Sequence, residues 1–421
     1  MYLRTWQAVA LLTVVSAALT LAQIPRDTWL TTAALSLSMG VAAATLMGAA
    51  ALLGGRIKVI ESLFGGLDRV YLTHKWLAIC ALVFASIHFA FKAGVSEWET
   101  ASILALPPAW TRLVRQLSFL ALMLIVMLAL NRKIPYHRWR WWHKLSGPLF
   151  AIVVLHWLSF KSPIELSSGA GIWLAGMSGL GLAAAMYKLL LYPFLSHHAE
   201  YLVVNASPGA AALHLELEPV KNPIPFTPGQ FAFISMKEDT LREPHPFTIA
   251  SAKNEHGRVH FVIRDLGDYT HRLIEKVSPG MHATVYAPFG RFTRKAGAKR
   301  EVWIAGGVGI SPFIAWLNDE HESGLEHVTF FYFFTPGREF PKAERLREIA
   351  ERRGAQFVPV PDGPSSADFL QRFSTIVRET GPSDVEISFC GPRGLLKRVQ
   401  ALMREHGIPP SNLRYEYFEF R

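Results

Sequence analysis

The sequence predicts an all-α membrane six-helix bundle joined to a soluble half, itself a small antiparallel β-barrel followed by a doubly wound α/β layer. Three observations predict it. Residues 1–195 hold nearly all the long apolar runs, while residues 200–421 read like an ordinary soluble α/β chain. Six apolar stretches in the first part approach the roughly 20 residues that cross a ~30 Å hydrocarbon core. The second part alternates short strand-type runs with Gly, Pro, Asn and Asp turns, then passes to strand–helix repeats.

The six stretches are residues 6–22, 29–53, 72–91, 113–130, 145–160 and 171–192. They explain why 50% of the 421 residues are hydrophobic and why the mean hydropathy is +0.21. The first stretch also fits a cleaved signal peptide, with Arg4 before the apolar core and small residues at Ala17, Ala18 and Ala22. Either reading leaves the other five helices with the same orientation.

The net charge of +10 does not point to nucleic acid, because of where it lies. Arg56, Lys58, Arg69 and Lys75 surround the join between the second and third stretches. Arg132, Lys133, Arg138, Arg140 and Lys144 surround the join between the fourth and fifth. The opposite loops, near residues 25–27, 93–111 and 161–168, are mixed in sign. The positive-inside rule puts the basic joins, both termini and the whole soluble half in the cytosol, and Trp139, Trp141 and Trp142 suit an interfacial belt there. Cys80 and Cys390 lie far apart in sequence, which speaks against a disulfide. Residues 192–200, with Pro193 and the His197–His198 pair, read as the linker.

Coordinating side chains inside apolar helices are costly and usually functional. The third stretch carries His74 and His88, fourteen residues apart; the fifth is flanked by His143 and carries His156, thirteen apart. On an α-helix these separations are about 21 and ~19.5 Å, so each helix holds one histidine near either bilayer edge. Both helices run outward, which pairs His74 with His143 and His88 with His156. Two imidazoles facing each other at one depth suit the axial positions of a haem iron, and two such levels make a ladder of two b haems. Fourteen residues return to nearly the same helix face, but thirteen do not. Gly147 and Pro148 offer a place for the kink that would realign His143 with His156. Taken singly, each histidine reads equally well as a packing residue; the paired spacing argues for ligation. His137, His197 and His198 read as loop or interface residues.

In the soluble half, strands are predicted at residues 200–205, 213–217, 231–236, 248–251, 259–264 and 282–287. Among them lie His245-Pro246-Phe247-Thr248, then Arg264, then a turn Gly267-Asp268-Tyr269-Thr270. A glycine turn that exposes backbone N–H groups beside an arginine suits a pyrophosphate. A buried strand at 301–305 runs into Gly306-Gly307-Val308-Gly309-Ile310-Ser311-Pro312 and a helix at 313–318. There the glycines permit close approach to a phosphate, Ser311 is expected to cap the helix and Pro312 to fill its first turn. Strands at 328–334, 356–359 and 386–390 and helices at 342–353 and 368–380 complete the α/β layer. Cys390-Gly391-Pro392 ends its last strand at the carboxyl edge.

These motifs together resemble the NADPH oxidase and ferric reductase superfamily over essentially the whole chain. The resemblance implies a di-haem membrane domain at 1–195 and a ferredoxin-reductase-like module, divided into an FAD-binding barrel at 196–296 and an NAD(P)H-binding domain at 297–421. It implies that His74, His88, His143 and His156 hold haem iron. It places His245, Pro246, Phe247 and Thr248 on the flavin and its ribityl chain, with the Thr248 hydroxyl near the reactive nitrogen. Arg264, Gly267, Asp268, Tyr269 and Thr270 would hold the FAD phosphates. Gly306, Gly307, Gly309, Ser311 and Pro312 would hold the phosphates of the nicotinamide nucleotide, with Cys390, Gly391 and Pro392 near the nicotinamide. Phe418 would stack on the flavin where the nicotinamide enters. The family's aromatic ends its chain, whereas three residues follow Phe418 here, so Phe420 is the alternative.

The implied activity is electron transfer from NAD(P)H, by way of FAD and the haems, to oxygen outside, giving superoxide. Mammalian-type oxidases carry an arginine in the second helix near the outer haem, and residues 29–53 contain none, so a ferric chelate stands as an alternative acceptor. A conduit to a periplasmic partner protein and a nucleotide-regulated transporter with proton-relaying histidines are further readings. NADPH is expected over NADH, with both used, because Arg338 follows the 328–334 strand and no acidic residue stands directly at its end.

Overall fold

The computed structural model describes residues 2–131, 133–209, 212–339 and 343–416. The chain forms two compact units, one running to Ser196 and the other beginning at His197.

The first unit is helical: α1 (Thr5–Leu21), α2 (Thr32–Gly54), α3 (Lys58–Phe64), α4 (Leu67–Ala90), α5 (Pro108–Leu130), α6 (Tyr136–His143), α7 (Ser146–Ser159), α8 (Gly169–Met186), a π-turn (Tyr187–Leu191) and α9 (Tyr192–Leu195). Among the described residues, three helices are long and apolar enough to cross a membrane: Thr32–Gly54, Leu67–Ala90 and Gly169–Leu195. The remaining predicted stretches form α1, α5 and the broken pair α6–α7. Helix α2 lies at the centre, packed against α1, α4 and α8. Thr31 starts it by accepting from Ala34 N, and its alanines, serines and glycines let neighbours come close. A Cβ at Gly48 would meet the Met177 carbonyl at 2.5 Å, and one at Gly181 would lie 2.8 Å from Gly48 Cα.

The predicted fifth helix is two helices. Pro148 cannot donate to the carbonyl four residues back and its ring collides with it, and the helix is interrupted there, at Lys144–Leu145, between α6 and α7. The joining residues Lys144 and Leu145 keep right-handed helical backbone, so the chain passes from α6 to α7 without leaving that conformation.

The second unit begins with β1 (His198–Pro208), β2 (Leu213–Pro219), β3 (Phe231–Met236), β4 (His245–Thr248), β5 (Val259–Ile263) and β6 (His282–Phe289). They form an antiparallel sheet in the order β4-β3-β6-β1-β2-β5. The Ile249–Phe261 bridge brings its two edges together, so the sheet is barrel-like around Tyr201, Leu215, Phe261 and Val285. The fourth strand starts three residues earlier than its alternation suggests, and includes Pro246. An edge strand tolerates a proline that has no N–H to give, and β4 pairs with β3 alone.

The α/β layer has a parallel sheet, β11-β10-β7-β8-β9, built from β7 (Arg300–Gly306), β8 (Val328–Phe333), β9 (Gln356–Val360), β10 (Val385–Cys390) and β11 (Leu413–Tyr415). Helices α11 (Ser311–Asn318), α12 (Ala343–Arg352), α13 (Ala367–Thr380) and α14 (Arg393–Glu405) cover it, and α10 (Asp268–Lys276) belongs to the barrel. Strand β8 is buried at every position, as an interior strand of a sheet covered on both faces should be. Arg294, itself buried, donates to Glu301, Glu322 and the Ser323 carbonyl and ties the loop before β7 to the strand.

Candidate functional site

In the first unit, the structure brings the four histidines into the two expected pairs. His74 and His143 have ring centres 5.9 Å apart at 79°; His88 and His156 are 6.2 Å apart at 77°. A metal–imidazole bond is about 2.0–2.1 Å long. Two of them occupy about 4 Å of either separation, and the remaining ~2 Å is the distance from the two nitrogens to their ring centres. The spacing thus fits one metal atom held between two imidazoles at each level. Among the described residues no group of three or more His, Cys, Asp or Glu side chains gathers to hold a metal. Any metal at these pairs would take its other ligands from a non-protein group.

Helix α2 orients the α4 rings. His74 Nδ1 lies 2.7 Å from the Ala50 carbonyl and His88 Nδ1 lies 2.9 Å from the Ser36 carbonyl. A carbonyl only accepts, so each Nδ1 carries the proton and each Nε2 keeps its lone pair for a metal. Ser36 and Ala50 are fourteen residues apart, as are His74 and His88. Gly40 and Gly54 repeat that interval. A Cβ at Gly40 would sit 2.7 Å from the His88 ring, and one at Gly54 would lie 3.8 Å from that of His74. Sequence reasoning missed these four positions; the shared interval on a Gly- and Ser-bearing helix was the available signal. On the partner side, His143 Nδ1 and His156 Nδ1 are buried with no hydrogen-bond partner among the described residues. Trp139 stacks on His143 at 5.0 Å and Phe160 lies 4.9 Å from His156.

In the second unit, His245 to Thr248 form β4, half-buried throughout. The His245 ring stacks on Tyr269 at 3.7 Å, joining two segments assigned to one ligand. Tyr269 itself is mostly buried, and burial holds its phenol un-ionised, well above its usual range. The expected turn Gly267-Asp268-Tyr269-Thr270 is the start of helix α10. The available signal was the apolar pair Tyr269 and Leu273, four residues apart, which the structure buries on one helix face. Thr270 Oγ1 accepts from Leu266 N and Gly267 N, so this hydroxyl orders the segment. Arg264 is exposed just past β5.

The glycine-rich loop differs from expectation in one respect. Ser311 is not the N-cap: its backbone is helical, the 3₁₀ turn Gly307–Ile310 leads into α11, and its hydroxyl donates to the Val308 carbonyl. The chain winds straight from β7 into helix, so the cap position falls earlier. Pro312 does lie in the first turn. Gly306 and Gly309 are small because of the neighbouring loop. A Cβ at Gly306 would meet Pro392 at 2.6 Å, and one at Gly309 would run into the Cys390 carbonyl. Gly307 differs: its φ is +57° and the nearest atom to its Cβ position is Arg264 Nη1, at 3.7 Å. Arg264, the glycine loop and the Cys390-Gly391-Pro392 loop therefore lie side by side. Forcing a methyl into a packed contact costs about 1–3 kcal/mol. Gly309→Ala is therefore expected to lower the melting temperature and raise KM for NAD(P)H several-fold, and unchanged values for both would refute the packing role.

Cys390 is fully buried. Burial, reinforced by the Glu416 carboxylate, pushes its thiol well above the usual range, so it stays neutral. Glu416 is itself buried, and a Cβ at Gly290 would sit 2.6 Å from its Oε1. Arg338 is exposed in the turn closed by its N–H to the Thr335 carbonyl. Phe418, Phe420 and Lys342 lie outside the described residues.

Residues 39–160 match the family model of the ferric reductase like transmembrane component, and residues 198–315 match an FAD-binding domain. The ferric/cupric reductase transmembrane component 7 of Saccharomyces cerevisiae is 22% identical over 318 residues, 70% of this chain and 49% of that protein. The toluate 1,2-dioxygenase electron transfer component of Pseudomonas putida is 26% identical over 204 residues, 47% of this chain and 60% of that one. The chain spans about half the length of the curated relatives it matches. A flavohemoglobin from Malassezia yamatoensis, 16% identical, superposes with a TM-score of 0.50 over 96% of this chain and 99% of its own, a likeness of fold alone. With the two family models in the order that the paired histidines and the reductase motifs require, the chain belongs to the NADPH oxidase and ferric reductase superfamily of oxidoreductases.

Proposed function

We propose that this chain is a transmembrane NAD(P)H oxidase. It takes electrons from NAD(P)H on the cytosolic side of the cell membrane and delivers them singly to oxygen on the outer side, giving superoxide. The observation that carries this reading is the pair of facing imidazole couples, 5.9 and 6.2 Å apart, in one chain with an FAD-binding reductase segment. One NAD(P)H gives up two electrons, leaves NAD(P)⁺ and one proton inside, and reduces two oxygen molecules by one electron each.

His74 with His143, and His88 with His156, would hold the irons of two b haems, with the Ala50 and Ser36 carbonyls fixing two of the rings. Thr248 would face the flavin ring, while Arg264 and the N-terminus of α10 hold the FAD phosphates. The Gly307 side of its loop would face the nucleotide phosphates. Cys390 would meet the nicotinamide as a neutral thiol, and Phe418 would cover the flavin. When bound, FAD takes electrons in pairs and releases them singly, and the haems carry single electrons across the apolar layer. The three parts would be the membrane domain at 1–195, the FAD domain at 196–296 and the nucleotide domain at 297–421. Six crossings, with both termini inside, follow from the basic loops.

A second reading, reduction of a ferric chelate, has two observations in its favour: α2 contains no arginine, and the yeast relative is named a ferric/cupric reductase. Turnover with NADPH and NADH against oxygen and ferric chelate decides between them. Superoxide in a two-to-one ratio to NADPH consumed supports the oxidase. Ferrous product at full rate with no superoxide selects the reductase, and turnover only with an added periplasmic fraction selects an electron conduit. In the same assay Arg338→Ala should lower the NADPH-over-NADH ratio of kcat/KM several-fold; an unchanged ratio removes Arg338 from phosphate recognition.

A further inference from the structure

A turn of the barrel, Pro228-Gly229-Gln230, reaches the helix that follows the glycine-rich loop. The turn leads into β3, whose first residue, Phe231, pairs with Thr248 of β4. Ile249 N, next in the chain after Thr248, donates to the Gln230 carbonyl at 3.0 Å. From the other side Trp316 of α11 donates its indole N–H to the Pro228 carbonyl, also at 3.0 Å, in a buried bond. Gln230 ties the same turn to the segment between β6 and β7. Its Oε1 accepts from Thr227 N at 2.8 Å and its Nε2 donates to the Gly290 carbonyl at 3.0 Å. Gly229 has φ +96°, and a Cβ there would lie 2.0 Å from the Phe292 carbonyl oxygen and 2.8 Å from Trp316 Nε1. Glycine supplies both the conformation and the space.

Trp316 is fully buried. Its ring lies 5.1 Å from Phe292, 5.1 Å from Phe313 and 5.2 Å from Trp303 of β7. The two elements that flank the glycine-rich loop, β7 and α11, therefore close on one aromatic block. A buried indole N–H needs an acceptor, but burial does not say which one. Trp303 has its acceptor in its own strand, Glu301 Oε2 at 3.0 Å. Trp316 reaches into the barrel instead. Domains of one chain move against each other unless their contact holds them, and this bond joins the glycine loop's helix to the turn beside Thr248. We infer that Trp316 is a positioning residue for hydride transfer, setting, with Gln230, the separation of the Thr248 edge from the glycine-rich loop. The inference rests on the NAD(P)H-to-FAD reading above. In that step a nicotinamide C–H bond breaks, the hydrogen leaves with the electron pair to form a bond to the flavin, and NAD(P)⁺ remains. The reacting atoms must come within about 3–3.5 Å, and an error of ~1 Å costs on the order of a hundredfold in rate.

The test uses the full-length chain in detergent and has two readouts. Spin labels on Lys221→Cys in the barrel and Gln371→Cys in α13, both exposed sites, give the distance distribution between the two domains in the apoprotein. The background is Cys80→Ala, and Cys390 is buried. Trp316→Phe keeps an aromatic ring and loses the N–H. It should broaden that distribution and slow single-turnover flavin reduction by NADPH roughly tenfold. The KM for NADPH and the FAD dissociation constant should stay within about twofold, as for an interaction felt in the reacting geometry alone. Gln230→Met, at a half-buried position, should act in the same direction. The double variant should be no slower than the slower single one, because both changes cut one connection. An unchanged distance distribution, an unchanged rate, or strictly additive losses overturn the inference. So does a loss of nucleotide and FAD affinity as large as the loss of rate, which marks a general loosening. If Trp316→Phe does not fold, as its thermal melt reports, Gln230→Met decides by the same two readouts. Failure of both nucleotides to reduce the flavin of the unaltered chain would instead sink the proposed function. The label distances need no cofactor and still decide whether Trp316 holds the two domains.

Discussion

Alanine at both His88 and His156 is expected to remove one of two low-spin b haems per FAD and leave the reduction of FAD by NADPH intact. The ring separations fit one metal atom between two imidazoles, and neither pair has a third protein ligand among the described residues. Loss of both imidazoles leaves that level with no protein donor from the pair, so the loss should be complete. The His74–His143 level, fourteen and thirteen residues away along the two segments, should keep its haem. Reduction of an outside acceptor should stop, because one level of the ladder is gone. The pyridine haemochrome assay and stopped-flow flavin bleaching check the two halves separately. Full haem content in the double variant would remove these histidines from ligation, and loss of flavin reduction as well would mean the change reaches beyond the bundle.

Arg264→Ala is expected to weaken FAD binding roughly tenfold or more, the equivalent of the ~1.5–3 kcal/mol that a hydrogen bond to a charged group contributes. Arg264 stands past the end of β5 and faces Gly307. It is exposed, so its removal should leave the stability of the apoprotein within about 0.5 kcal/mol. Thr248→Ala, at a half-buried site in β4, should weaken FAD less, since its hydroxyl meets a neutral ring. Calorimetric titration of the apoprotein with FAD measures both. An unchanged dissociation constant for Arg264→Ala would take the arginine out of the phosphate site. Equal effects of the two variants would argue for a general loosening of the cleft.

Much of this was legible in the sequence because the signals were local. A strand inside a two-sided sheet needs an apolar run such as Val328–Phe333, and the structure has that strand at those residues. The six barrel strands fell within a few residues of their alternating patterns. Histidines fourteen apart on α4 must share a face, whatever they meet there. Helices α10 and α14 were missed for an equally local reason. A Gly-Asp pair and a Cys-Gly-Pro loop read as turns, while the amphipathic pattern that follows each turn was the stronger evidence.

What sequence by itself determined was the division into an apolar helical part and a soluble reductase part, the type of each long element, and which histidines lie at near-equal intervals. Each depends on burial repeating along one segment. The histidine pairs were expected as well, and only the tertiary structure decided how the other segments join. It alone gave the strand order β4-β3-β6-β1-β2-β5 with its closing bridge, the interruption of the helix before Pro148, and the α2 carbonyls that fix the ring tautomers. It also separated Gly306 and Gly309, small because another loop presses on them, from Gly307, whose open side faces Arg264. A glycine reads the same in sequence whether it makes room for a ligand or for a neighbour, because the atom that needs the space belongs to a distant part of the chain.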